Sequence, residues 1–249
     1  MTAMPRFKLI PALWTAGHRL RQRWSPLLAI TLGLLVSPTL LLSAIYATPA
    51  AGRVGQAVVY LVGLAFSGLA SGAIAWLSLA GGEDPWKVAA EGLGRAFQKL
   101  SPLAGLVLIA SLPSLLNYAL RLLTLPAFAP PDVMAWVWWG LASATSVLMA
   151  AFMAVAAPTA GILVFEEAGL PAALVQALRM TRGSRLKLIL LQAGQVVVLG
   201  AIGLAVYQFG RNINPTAQAA LLSLLDAVSG TLLATVLNQS YFQLHANGD

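Results

Sequence analysis

Two charged side chains lie inside long apolar stretches of this sequence, where a charge is most able to do chemistry. Arg121 stands late in the stretch 102–125, and Asp226 stands early in the stretch 217–244. An isolated charge at the centre of a bilayer costs ~2.5–3.5 kcal/mol, so such residues pair or contact water. We therefore expect an ion pair between Arg121 and Asp226, which would either tie two helices together or form a polar site.

The sequence offers little to an enzyme. It contains no cysteine, and its two histidines, His18 and His245, stand near opposite ends of the chain. It has no nucleophile motif, no phosphate-binding Walker loop and no zinc-ligand spacing. The adjacent acidic pairs at 83–84 and 166–167 are typical of helix starts. We expect no catalytic residue, no metal site and no cofactor.

The elements that position these residues follow from composition. The 249 residues are 59% hydrophobic and 9% charged, whereas soluble domains are about 25% charged. A membrane-spanning helix needs ~20 apolar residues, and six stretches qualify: 25–47, 57–80, 102–125, 133–165, 186–209 and 217–244. We predict an all-α integral membrane protein with six transmembrane helices in one domain, 1–249. It divides into an amphipathic segment (1–24), a first hairpin (25–80), an interfacial helix with a second hairpin (81–165), and an interfacial helix with a third hairpin (166–249).

The Lys and Arg residues predict an orientation. With the N-terminus inside, twelve of the fifteen fall on the cytoplasmic side, and only Arg53, Arg121 and Arg211 fall outside. Such a bias is typical of cytoplasmic loops. We expect a multi-pass protein of the bacterial inner membrane with both termini in the cytoplasm. The net charge of +7 follows from the same bias, so no nucleic-acid partner is expected.

Amphipathic helices are predicted between the apolar stretches. Asp84 and Pro85 form an N-cap and N1 pair, after which Trp86, Ala90, Leu93, Phe97 and Leu100 make one apolar stripe. Basic residues beside spans attract anionic lipid headgroups, although they could serve only to fix topology. The cations that we expect at the lipid headgroups are Arg19, Arg21, Arg23, Lys87, Arg95, Lys99, Arg179, Arg182, Arg185 and Lys187.

The chain also shows weak internal repetition. Residues 19–27 match 95–103 at an offset of 76, and an offset of 83 places Ala89-Ala90 on Ala172-Ala173. Each unit would hold a basic interfacial helix and a helical hairpin, so three units would give the six spans. In addition, Gly68 and Gly72 predict close helix packing, either within one chain or between copies.

A family resemblance appears in residues 158–187. Pro158, Glu166, Gly169 and Thr181 stand in a pattern of a Pro-broken span, an acidic residue with Gly, an Ala-Leu helix and a Thr-containing start of the next span. The pattern resembles the YciC-type bacterial inner-membrane proteins and the membrane domain of some glycerophosphoryl diester phosphodiesterases. The resemblance implies an inner-membrane protein with a role in envelope upkeep. It does not imply phosphodiesterase activity, because no catalytic domain is present.

Our preferred interpretation is a non-enzymatic membrane protein that contacts anionic phospholipids or a protein partner. The alternatives are a transporter or permease subunit with a polar site near Arg121 and Asp226 and, less favoured, an intramembrane lipid-modifying enzyme. Whether the chain forms a homo-oligomer or binds another membrane protein stays open.

Overall fold

The computed structural model describes residues 7–38, 40, 41, 52–124, 131–209 and 215–245, without side-chain detail for 113–143 and some positions elsewhere. All regular structure in these ranges is helical, which confirms the predicted all-α class. The helices are α1 (Leu9–Ile30), α2 (Gly52–Leu79), α3 (Pro85–Gln98), α4 (Leu100–Thr124), α5 (Pro131–Phe165), α6 (Leu170–Met180), α7 (Arg185–Phe209) and α8 (Pro215–His245).

The long helices overlap the predicted apolar stretches, but α2 begins five residues before its stretch, and the first stretch differs more. Helix α1 begins at Leu9, so the N-terminal amphipathic segment and the start of the first stretch share one helix. The helix bends at Arg23, where φ is −124° and ψ is 21°. It continues into a π-helical turn, Thr31–Val36, a rare geometry that occurs mostly as single turns within longer helices.

The long helices form an inner and an outer set. The helices α2, α5 and α8 contact one another at the centre of the bundle. Around them, α1 packs against α2 and α8, α4 packs against α2 and α5, and α7 packs against α5 and α8. Each outer helix therefore lies in a groove between two inner helices, and each inner helix is the second member of a predicted hairpin.

Small residues allow the close approach of α2 to its neighbours. A Cβ added to Gly68 would lie 2.9 Å from the backbone nitrogen of Ala104, and one added to Gly72 would lie 2.9 Å from the Cβ of Ala96. Gly68 and Gly72 therefore pack within the chain, against α4 and α3. Of the two alternatives left open by the sequence, packing within one chain is the one observed. Such contacts hold helices together in lipid, where there is little hydrophobic drive for association.

Two helical segments are long and apolar enough to cross a membrane among the residues described, Val58–Leu79 and Ala220–Leu244. Leu100–Leu112 and Ala151–Phe165 are also apolar, but these segments, counted only over residues whose side chains are described, are shorter. Length and composition thus support a membrane protein in general terms. The count of six spans stays a prediction.

Candidate functional site

Three amphipathic segments lie at one end of the bundle. They are the N-terminal part of α1, together with α3 and α6. The first is fixed near Ser184, at the start of α7, whose Oγ accepts a hydrogen bond of 2.7 Å from the backbone N–H of Phe7. The N-terminal segment also contacts the end of α8, since the backbone N–H of Lys8 donates a hydrogen bond of 2.9 Å to Gln243 Oε1. Helix α6 begins beside α4, because a Cβ on Gly105 would lie 2.8 Å from Leu170 Cδ2.

Each of these segments packs on the bundle through small or branched residues one turn apart. In α1 the buried pair is Ala12 and Ala16, and in α6 it is Ala173 and Ala177. Helix α3 buries Val88, Ala89, Gly92 and Ala96. Small side chains bring the helix axes close to the bundle, so the larger apolar residues are left on other faces.

The large apolar side chains of the same segments are exposed. Ile10 and Trp14 of α1 are 81% and 82% exposed, and Phe97 of α3 is 69% exposed. Trp86 and Leu93 share the face of Phe97, and Val175 and Leu178 are exposed large apolar residues of α6. The apolar stripe predicted for α3 is therefore exposed from Trp86 to Phe97 and does not pack on the bundle. Apolar residues beside a charged face are typical of a helix lying in a membrane interface.

The predicted headgroup cations divide into three groups by their surroundings. Lys99, the C-cap of α3, and Arg19 are partly buried. Arg23 is only 2% exposed. The remaining cations are exposed: Arg21, Lys87, Arg95, Arg179, Arg182, Arg185 and Lys187.

Arg23 has a different role from the one predicted. Its Nη1 donates to the carbonyl oxygens of Leu77 at 2.6 Å and Ala80 at 2.8 Å, and its Nη2 donates to that of Gly82 at 3.2 Å. Arg19 adds a bond of 3.3 Å to the Ala80 oxygen. Carbonyl groups at a helix C-terminus lack intrahelical donors and carry partial negative charge. Arg23 is thus a cap for α2, withdrawn from the headgroup layer.

The electrostatic surroundings of Arg23 agree with this role. Burial lowers the pKa of Arg23, and the neighbouring Arg19 cation lowers it further. The side chain nevertheless stays charged, since an arginine begins from a very high pKa. The partial negative charge of the α2 carbonyls compensates for the water that it has lost.

Several exposed cations also contact the protein. Arg95 lies with its Cζ 5.0 Å from the centre of the Trp76 ring, a cation–π contact. Arg185 donates to the Leu178 oxygen at 2.8 Å, and Lys187 donates to the Phe7 oxygen at 3.3 Å. These side chains are held in place while their outer surfaces remain accessible.

The four residues of the family resemblance lie at the junction of α5, α6 and α8. Glu166 directly follows α5 and receives hydrogen bonds from Gln176 Nε2 at 3.0 and 3.2 Å and from the Tyr241 hydroxyl at 3.0 Å. Gly169 is the N-cap of α6. The Thr181 hydroxyl lies 2.8 Å from the oxygen of Ala177 and 3.3 Å from that of Val155. Pro158 lies within α5, about one turn after Val155.

Glu166 departs from the role of a helix-start acid. Asp84 does act as predicted, since its Oδ1 accepts from the N–H groups of Trp86 at 2.9 Å and Lys87 at 3.3 Å. Glu166 instead joins three helices through Tyr241 and Gln176. No local pattern pointed to Tyr241 as a partner of Glu166, because the two residues lie 75 positions apart.

An aromatic cluster adjoins this junction and includes at least one residue from each inner helix. The ring of Phe165 lies 4.5 Å from that of Trp76 and 5.9 Å from that of Tyr241, centre to centre. Phe242 joins it at 6.4 Å from Phe165. The cluster closes the centre of the bundle at the end where the amphipathic segments lie. The Trp76–Phe165 and Phe165–Tyr241 pairs are stacked, an arrangement that stabilises aromatic contacts beyond the apolar area they bury.

The polar pair predicted inside the membrane is only half described. Arg121 belongs to α4, but its side chain lies outside the described residues. Asp226 is exposed on the surface of α8. The ion pair, and with it a polar transport site at this position, therefore stays a prediction. Among the residues that the structure describes, no group of three or more His, Asp and Glu residues has the geometry of a metal site.

Comparison of the chain with protein-family models, with curated protein sequences and with solved structures gave no match in any of the three. The resemblance to the YciC-type proteins therefore rests on the residues named above.

Proposed function

We propose that this chain is a six-span protein of the bacterial inner membrane, with both termini in the cytoplasm, whose interfacial helices bind anionic phospholipid headgroups and which has no catalytic role. The observation that carries the proposal is the shared architecture of the three amphipathic segments. Each packs through small residues and presents exposed apolar side chains near exposed cations. That combination matches the boundary between acyl chains and headgroups.

The packing also supports a threefold repeat of an interfacial helix with a hairpin. The N-caps of α1, α3 and α6 are Lys8, Asp84 and Gly169, so the units start 76 and 85 residues apart. We favour the second spacing over the offset of 83 suggested by the sequence, because at 83 exposed Ala90 would correspond to buried Ala173.

The new register matches buried positions through all three units. Leu27, Leu103 and Leu188 then correspond, and each is at most 3% exposed. The contacts are cyclic as well: α3 packs on α2, α6 packs on α5, and α1 packs on α8. A cyclic order explains why the first segment of the chain must meet the last helix.

Accessibility labelling tests the topology. The chain has no cysteine, so Arg21→Cys, Lys87→Cys and Arg182→Cys each supply one label site at an exposed position. A membrane-impermeant maleimide should label all three only from the cytoplasmic side of inverted vesicles. Ala217→Cys, exposed near the start of α8 at the outer edge of the stretch 217–244, is the matched control and should react only from the opposite side. Labelling of position 87 or 182 on the face opposite to position 21 would refute the topology.

A lipid titration tests the binding role. Native mass spectrometry of the purified protein would count phosphatidylglycerol and phosphatidylcholine bound at equal lipid concentration. We expect phosphatidylglycerol to be retained more strongly, and Arg21→Gln with Lys87→Gln and Arg182→Gln to weaken it by about fivefold per charge removed. Glu91→Gln removes an exposed charge of the opposite sign on α3 and should not weaken it. Equal retention of both lipids by the unaltered protein would refute the proposal.

A further inference from the structure

The outward face of α6 contains an open depression of about 580 Å³. The described residues that line it are Pro171, Ala172, Val175, Gln176, Arg179 and Met180. Their spacing of i, i+4 and i+8, each with its neighbour, places them on one face of the helix. The opposite face, with Ala173 and Ala177, is buried in the bundle.

The floor of this depression is mostly apolar and has a cation at one end. Pro171 and Ala172 lie in the first turn of α6, and Val175 follows one turn later. Arg179 stands in the last turn, where the negative end of the helix dipole favours a cation. The depression therefore changes from apolar to positively charged over about two turns.

The helix that carries the depression is held rigidly. Gln176 donates two hydrogen bonds to the carboxylate of Glu166, which also accepts a hydrogen bond from the Tyr241 hydroxyl. Thr181 secures the other end of α6 through the oxygens of Ala177 and Val155. A ligand would thus meet a surface that is already in place, which reduces the entropy lost on binding.

We propose that the α6 depression is a discrete site for one anionic phospholipid, with its phosphate on Arg179 and the upper part of an acyl chain along Val175 and the first turn. A guanidinium binds a phosphate through two parallel hydrogen bonds. Exposed Arg182 follows in the next turn and adds positive charge, which disfavours a headgroup that carries its own cation. The site rests on the proposed function and makes it specific, since headgroup contact alone requires no defined pocket.

Two pairs of variants test the site by the same native mass spectrometry titration. Arg179→Gln should weaken phosphatidylglycerol binding by about tenfold or more, as expected for loss of a charge-assisted hydrogen bond. Arg182→Gln, an exposed cation outside the depression, should weaken it by about fivefold or less. Val175→Trp fills the depression without changing charge and should also weaken binding. Leu190→Trp, exposed on α7 and outside the depression, should not.

The outcomes separate this site from the general binding role. All four altered side chains are exposed, and an unchanged thermal unfolding midpoint would show that the variants fold. If Arg179→Gln and Arg182→Gln weaken binding equally, or if Val175→Trp has no effect, the discrete site is refuted while diffuse headgroup binding stands. If the unaltered protein shows no preference for phosphatidylglycerol, both fail. A dimer in detergent that Val175→Trp dissociates would assign the depression to a second copy and would also overturn the site.

Discussion

Thr159 and Thr181 provide the most direct test of the packing at the junction of α5 and α6. Both residues are 0% exposed. The Thr181 hydroxyl has acceptors at 2.8 and 3.3 Å, whereas the Thr159 Oγ1 has no hydrogen-bond partner among the described residues. The usual acceptor for a helical threonine is the carbonyl four residues earlier. For Thr159 that carbonyl belongs to Val155, which the Thr181 hydroxyl also approaches.

Replacing each threonine with valine should therefore have opposite effects on stability. Valine has nearly the same shape and lacks only the hydroxyl. A buried hydroxyl without a partner costs about 1–3 kcal/mol, so Thr159→Val should raise the free energy of unfolding by about 1 kcal/mol. Thr181→Val removes a satisfied hydrogen bond and should lower it by about 1 kcal/mol.

The assay is equilibrium unfolding of the purified protein in mixed micelles of dodecylmaltoside with increasing dodecylsulfate, followed by circular dichroism. The two variants have the same protein background, the same substitution and the same burial, so any effect of micelle composition on the free energy of unfolding cancels between them. If Thr159→Val destabilises the protein as much as Thr181→Val does, the Thr159 hydroxyl has a partner and the reasoning is wrong.

Two further predictions concern the contacts of α2 with its neighbours and are measured by the same unfolding assay. Gly92→Ala should destabilise the protein by about 1–3 kcal/mol, because the new Cβ would lie 3.0–3.2 Å from side-chain atoms of Trp76. The control is Gly94→Ala, whose new Cβ has nothing within 4 Å and which should be neutral or slightly stabilising. Equal effects of the two substitutions would contradict this packing. Arg23→Gln should lower the free energy of unfolding by about 2–3 kcal/mol, because the α2 cap is lost. Arg21 is exposed on the same helix, so Arg21→Gln should change the stability little. An Arg23→Gln variant as stable as the unaltered protein would rule out the capping role.

The sequence by itself determined the helical class of the chain and the positions of its long helices. A run of ~20 apolar residues can satisfy its backbone in lipid only as a helix or a closed barrel. The bounds of α4, α5, α7 and α8 lie within two residues of the predicted stretches, whereas α2 begins at Gly52, five residues before its stretch. The Asp84 cap was also accessible, because capping depends on neighbours within one turn. These features are local, and local spacing was sufficient for them.

Only the tertiary structure decided which face of each helix packs inward. The apolar stripe of α3 was evident from its period, but a period does not say whether lipid or protein covers the stripe. The structure packs Gly92 and Ala96 inward and leaves Phe97 exposed, because small residues let helices approach closely and lipid accepts large apolar side chains.

The roles of Arg23 and Glu166 were likewise beyond the sequence. A basic residue before a span is indistinguishable in sequence from any other headgroup cation, and Arg23 became a cap because the end of α2 lies beside the bend in α1. Glu166 meets Tyr241 only because α5 and α8 pack side by side at the centre of the bundle. Contacts of this kind join residues that are distant along the chain, so they exist only once the helices have packed.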